Sequence, residues 1–180
     1  MIRYIIPWDS GKNIGECYNR ECELLPSDDD YACFVDGDAR FTTPMWGKQL
    51  EDIVAKYPEC GLFTAMTNRI GCLWQRTGKW ESDSDNYHNE TGEMIARNFY
   101  DQVQDVSVVP RGEVMGGVLI MIRKSTWKNL GGFKPTGMLG VDNDIHWKAM
   151  DKGEKVYLMK GVYVYHWYRG GDVNNKQHLI

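Results

Sequence analysis

Tyr31-Ala32-Cys33-Phe34-Val35-Asp36-Gly37-Asp38 is a run of apolar residues that passes without a break into two carboxylates. A short, almost wholly apolar run reads as a central strand covered on both faces. The carboxylates cannot remain inside such a strand, because uncompensated buried charge is expensive. The chain therefore leaves the sheet at Asp36, and the pair faces either solvent, as an Asp-Gly turn, or a crevice that holds a cation. In open α/β sheets ligands bind outside the carboxyl ends of the strands. A hard divalent ion, Mg²⁺ or Mn²⁺, is held there through carboxylate oxygens while it bridges phosphates, and Gly37 permits close approach of a ligand.

On either side of this strand the pattern alternates. Arg3 to Pro7 predicts a first buried strand closed by the turn residues Asp9-Ser10-Gly11, and Asn13 to Leu25 predicts a helix stopped by Pro26. Thr43 followed by Pro44 reads as an N-cap with proline in the first turn of a helix that ends near Pro58. Gly61 to Met66 predicts a third buried strand, and the polar residues 68–92 a long loop. Further on, Glu93 to Gln104 predicts a helix and Val114 to Arg123 a strand. Ser125 is expected to cap a short helix to Leu130, before a Gly131-Gly132-Phe133 turn. A helix over Asp142 to Asp151 precedes two strands, Lys155 to Met159 and Val162 to Tyr165, separated by Lys160-Gly161. Strands alternating with helices argue for an α/β sheet, and 180 residues suit one domain spanning 1–180.

Composition narrows the function. Residues 1–110 carry 10 Lys or Arg against 19 Asp or Glu, and residues 111–180 carry 11 against 6, so the two parts are −9 and +5. Together with a sequence pI of 5.6, this disfavours nucleic acid as a partner, since that affinity comes mainly from phosphate neutralisation. Val118 to Ile122 is only five residues long between Gly116-Gly117 and Arg123-Lys124, against the ~20 of a membrane helix, so no membrane span is expected. Pro7 interrupts the amino terminus too early for the ~7–15 residue apolar core of a signal peptide. The five cysteines form no CxxC pair. Reduced thiols and a cytoplasmic location are the expectation.

Three ordered segments resemble GT-A fold glycosyltransferases, particularly those of the family 2 type. Tyr31 to Asp38 resembles that family's strand and DxD motif. Gly116-Gly117-Val118-Leu119-Ile120-Met121-Ile122-Arg123, followed by Leu130-Gly131-Gly132-Phe133, resembles its strand and its Leu-Gly-Gly-Phe turn. Val141-Asp142-Asn143-Asp144-Ile145-His146-Trp147-Lys148 is similar to its acidic helix start, and Gly153 to His166 to its closing strand. The resemblance spans about residues 31–168 and implies a compact GT-A, Rossmann-like mixed sheet flanked by helices.

By this resemblance Asp36, Asp38 and His166 hold Mn²⁺ or Mg²⁺, and Asp142 is the general base of an inverting transfer. The donor is then a UDP- or GDP-linked nucleotide-sugar, bound by Pro7, Trp8, Asp9, Asp36, Gly37, Asp38, Gly116 and Gly117, and the acceptor is a glycan or other hydroxyl compound. Residue by residue a second reading stands. Asp142 equally reads as a helix-terminal carboxylate favoured by the dipole, His166 as a half-buried sheet histidine, and Gly116-Gly117 as close backbone packing. The family's lead before the DxD strand is shortened here, which leaves Trp8 and Asp9 as the nearest candidates for the base. It also leaves a sheet edge to cover, so a homodimer is expected. The competing readings are an inactive GT-A domain that binds a nucleotide-sugar, a glycan or a protein, and a nucleotidyltransferase.

Overall fold

A computed structural model describes residues 1–168. It contains strands β1 (Ile2–Ile5), β2 (Tyr31–Val35), β3 (Ala39–Phe41), β4 (Leu62–Thr67), β5 (Val103–Asp105), β6 (Leu119–Arg123) and β7 (Val156–His166). The helices are α1 (Ile14–Glu23), α2 (Trp46–Lys56), α3 (Asp85–Phe99), α4 (Lys124–Leu130) and α5 (Val141–Lys152). The strands form one mixed sheet in the order β1-β2-β6-β4-β7-β3, with β5 also paired to β7. The fold is α/β with helices flanking the sheet, as the alternation implied.

Strict two-residue periodicity divides the interior into two cores. Ala32 and Phe34 of β2, Ile120 and Ile122 of β6, and Val156 and Leu158 of β7 join Tyr18, Ile145 and Ala149 of α1 and α5. Their alternates Cys33, Met121 and Met159 turn to the other face, against Leu50 and Ile53 of α2. Since successive side chains of a strand point to opposite faces, a continuous apolar run is what a sheet covered on both sides needs. Helix α1 lies close against the turn before α5, where a Cβ on Gly15 would come within 1.8 Å of the Lys134 carbonyl oxygen. Trp46 joins two parts of the sheet, edge-on to Tyr4 at 4.7 Å and stacked on Phe41 at 4.0 Å.

Several boundaries differ from the sequence expectation for identifiable reasons. The stretch expected to be a loop, 68–92, contains a 3₁₀ turn at Leu73–Gln75 and the first half of α3. Helix α3 ends at Phe99, and Val103 and Gln104, expected as the end of that helix, belong to β5. Its buried face is His88, Thr91, Gly92 and Ile95, so over its first half the periodicity exists in residues that carry little apolar signal. Met45 rather than Thr43 precedes α2, and α4 begins at Lys124, which leaves Ser125 inside the helix. The last two expected strands are one, β7, whose pairing to β4 jumps from Met159 to Tyr163. That irregularity accommodates Lys160-Gly161, where a Cβ on Gly161 would meet the Tyr100 carbonyl oxygen at 2.4 Å. No helix among the described residues is long and apolar enough to cross a membrane.

Two buried histidines are held neutral by their burial. His146 Nδ1 accepts from the Met115 N–H at 2.9 Å, and its Nε2 lies 3.0 Å from the Val106 carbonyl oxygen, to which it donates. His88 lies between the Tyr163 hydroxyl and the Ser82 carbonyl. Burial, the largest cause, lowers both pKa values below the ordinary ~6.5. The unfolded chain therefore binds more protons than the fold as pH drops below about 6.5, and the stabilisation is complete above that value and lost beneath it. In denaturant unfolding, the stability advantage of the parent over His146→Gln narrows as pH is lowered from about 7 to about 5. A pH-independent gap contradicts the neutral assignment.

Candidate functional site

The site forms where β2 leaves the sheet. The Asp36 N–H donates to the Val118 carbonyl at 3.1 Å, and the Ala39 N–H returns to the Asp36 carbonyl at 3.0 Å. These bonds fold Asp36-Gly37-Asp38 into a tight turn that feeds β3. Strand β3 then pairs antiparallel to the end of β7, with Ala39 opposite His166, and the Trp167 N–H donates to the Asp38 carbonyl at 2.9 Å. Strand register thus carries His166 to the DxD turn from the far end of the sequence.

The ligand atoms of Asp36, Asp38 and His166 lie within 4.8 Å of one another. His166 Nε2 is 3.3 Å from Asp38 Oδ1 and 4.0 Å from Asp36 Oδ2. On the ring's other side, Nδ1 lies 2.7 Å from the Arg69 carbonyl oxygen. A carbonyl only accepts, so Nδ1 carries a proton and Nε2 is the nitrogen turned to the carboxylates; the backbone N–H of His166 is held by Asn68 Oδ1 at 2.9 Å. Ligands around a metal of the Mg²⁺ or Mn²⁺ class, at ~2.0–2.2 Å from it, stand about 3–4 Å apart. The donor set and its spacing fit such an ion. The Asp36 carboxyl is pushed up to about 6, chiefly by burial, with His166 opposing the rise and Asp38 and Asp142 adding to it.

Asp142 stands across the same cleft, in the first turn of α5. That helix begins after Gly140, whose φ of 75° is left-handed, and no side chain caps it. Asp142 Oδ1 accepts from the Asn143 N–H at 2.9 Å. Burial raises its pKa, while the N–H groups of Asn143, of Asp142 itself and of Gly117 oppose the rise. Asp144, the neighbouring candidate, is tied to Lys148 at 2.8 Å. Of the two, Asp142 is the carboxylate that lines the cleft.

The cleft has a volume of about 870 Å³, and Pro7, Gly37, Gly116, Gly117 and Tyr168 contribute to its walls. No protein-family model matches the chain, and no curated protein does. What the site does must therefore be argued from its own chemistry.

The glycines divide by their neighbours. A Cβ on Gly116 would lie 2.3 Å from Ile70 Cδ1, so packing alone accounts for that glycine; one on Gly117 would lie 3.2 Å from Asp142 Cβ. Gly37 is different, because an added methyl group would meet only Ile6 Cγ2 at an ordinary 3.5 Å. The fold does not require glycine there, and the bare backbone leaves room beside the carboxylates.

Two of the residues expected to cover a base are not brought into the cleft. Trp8 is 74% exposed and does not line it. Asp9 Oδ2 accepts from the Asn13 N–H at 2.8 Å, which holds the entry to α1.

Three polar residues outside the expected site, Arg69 and Gln75 buried and Asn19 half-buried, support it. Arg69, with no exposed surface, donates to the Trp167 and Ser82 carbonyls at 2.8 and 3.0 Å and pairs with Asp83 at 2.6 Å. Gln75 clamps Gly116 through Oε1 at 2.7 Å and Thr64 Oγ1 through Nε2 at 2.8 Å. Asn19 accepts from Trp127 Nε1 and the Phe133 N–H at 2.9 and 2.8 Å, fixing the turn that precedes α5. Arg69 and Gln75 sit in a polar stretch whose spacing gives no signal.

Proposed function

We propose that this chain is a metal-dependent, inverting glycosyltransferase that moves a sugar from a UDP- or GDP-linked donor to a hydroxyl acceptor. The observation that carries the reading is the Asp36, Asp38 and His166 group in one cleft with Asp142. Asp36, Asp38 and His166 would hold Mn²⁺ or Mg²⁺, which when bound neutralises charge on the departing nucleoside diphosphate. A protein cation for that task is lacking among the described lining residues. Arg69 alone is cationic there, and its guanidinium is committed to backbone carbonyls and Asp83.

Asp142 accepts the proton of the acceptor hydroxyl as the new bond to the sugar forms. Its raised pKa makes it a better base than an exposed carboxylate. Gly37 keeps the approach to the carboxylates open, and Gln75 and His146 hold the Met115-Gly116-Gly117 wall in place.

A second reading, a domain that binds the donor without turnover, draws on one observation. Only Pro7 of the Pro7-Trp8-Asp9 stretch lines the cleft, so few base contacts come from this loop.

The test is incubation of UDP- and GDP-linked sugars with the purified chain, Mn²⁺ and a panel of glycan acceptors. Glycosidic product and nucleoside diphosphate in equal amounts, only with metal present, are expected. Metal-dependent nucleotide binding without product selects the second reading, and absence of nucleotide binding refutes both.

A further inference from the structure

A second groove, of about 820 Å³, shares only Gly37 and Asp38 with the cleft. Its other walls are Arg40, Asp83, Asp85, Tyr165 and Trp167, together with Ala39. Three features describe what it can hold.

The first is charge balance. Arg40 pairs with Asp85 at 2.7 Å, and the buried Arg69 pairs with Asp83 from behind at 2.6 Å. Asp83 and Asp85 are each matched by a guanidinium, so the part of the groove beyond the shared Asp38 favours neither an anion nor a cation.

The second is hydrogen-bonding capacity. Side by side, the guanidinium of Arg40 and the carboxylates of Asp83 and Asp85 present donors and acceptors together. A hydroxyl group both donates and accepts, so vicinal hydroxyls match such a pair better than an ammonium or a phosphate does.

The third is an aromatic face on a rigid mount. Trp167 is 48% exposed, yet its N–H is fixed to the Asp38 carbonyl at 2.9 Å and its own carbonyl to Arg69 at 2.8 Å. A half-exposed indole with a pinned backbone gives a large apolar surface that loses little entropy on contact.

We infer that this groove is a saccharide subsite, with the Trp167 indole against the apolar C–H face of a sugar and the Arg40, Asp83 and Asp85 groups on its hydroxyls. Gly37 has no side chain and lies in the wall common to both spaces, so one glycan extends from the groove toward the cleft. This placement rests on the glycosyl-transfer reading, which it deepens by making the acceptor an oligosaccharide. Occupancy of the groove does not rest on it. A basic peptide, the rival occupant for carboxylates beside an indole, is disfavoured because Arg40 lies over the Tyr165 ring at 5.3 Å and already neutralises Asp85.

The test is calorimetric titration of the full chain, without metal or nucleotide, using cellotetraose, maltotetraose, mannotetraose and chitotetraose. Saturable binding of at least one is expected, unchanged by added salt because the ligand is neutral. Trp167→Ala should weaken that binding about tenfold, the effect of losing roughly 1.4 kcal/mol of aromatic contact, and Trp167→Phe should restore part of it. Asp85→Ala is a second variant; its carboxylate is 74% exposed, so its loss leaves the fold intact while weakening saccharide binding.

Absence of binding by all four sugars, binding untouched in Trp167→Ala and Asp85→Ala, or salt-sensitive capture of an oligolysine peptide in the groove overturns the inference. Nucleotide affinity with Mn²⁺, measured separately on the same variants, shows whether the glycosyl-transfer reading stands or falls independently.

Discussion

Replacing Asp142 by Asn lowers sugar transfer by about 10²–10⁴-fold while donor affinity stays within a factor of about two. The amide keeps the shape of the side chain and, through Oδ1, the bond from the Asn143 N–H, so neither α5 nor the cleft wall is disturbed. What it removes is the capacity to take a proton. Loss of turnover with retained donor binding identifies a group that acts in the transition state, because a ground-state contact would move affinity as well. Steady-state transfer rates alongside titration of the donor with Mn²⁺ make the separation. A variant that transfers sugar at the parental rate reduces Asp142 to a helix-terminal carboxylate and passes the role to Asp144, which would first have to leave Lys148.

Asp38→Ala has the opposite signature. Metal-dependent nucleotide affinity is expected to fall by more than about 100-fold, since even residues that merely orient metal ligands are worth 10–100-fold. The melting temperature is unchanged or slightly higher. Asp38 stands beside Asp36, whose pKa its charge helps to raise, and removing one of two repelling carboxylates relieves the fold when no cation is present. The turn survives because Trp167 is bonded to the Asp38 backbone carbonyl and not to its side chain. Calorimetry that finds parental affinity for Mn²⁺ and nucleotide removes Asp38 from the metal group.

Asp38 was legible in the sequence for a local reason, whereas Asp142 entered only through the resemblance. The run Tyr31 to Val35 could be read as a doubly covered strand because each of its residues is apolar and short-range pattern alone decides it. Its alternate residues do enter the two cores. Asp36 and Asp38 followed, because charge at the end of such a strand has few places to go. His166 was legible only through the resemblance. Its position depends on β3, a three-residue strand that carries no periodic signal of its own and exists because it pairs with β7.

What stayed hidden depends on long-range polar contacts. Helix α3 begins among residues read as loop, since the side it buries is His88, Thr91 and Gly92, and these are buried for hydrogen bonding and close approach, not for apolar area. Arg69 resembles any surface arginine in sequence, yet it is fully buried and ties the segment around Ser82 to the end of β7. Trp8 shows the converse. Its aromatic character after the first strand suggested a base platform, but chain direction after Pro7 leaves it in solvent.

The central claim is that Asp36, Asp38 and His166 hold one divalent ion that also meets a nucleoside diphosphate. Pulsed electron paramagnetic resonance of Mn²⁺ added to the chain with UDP or GDP tests it directly. The account predicts a single bound Mn²⁺ with both a nitrogen coupling from the His166 imidazole, absent in His166→Ala, and a phosphorus coupling from the diphosphate. Mn²⁺ that shows phosphorus coupling alone, or that binds no more tightly to the chain than to the free nucleotide, contradicts it.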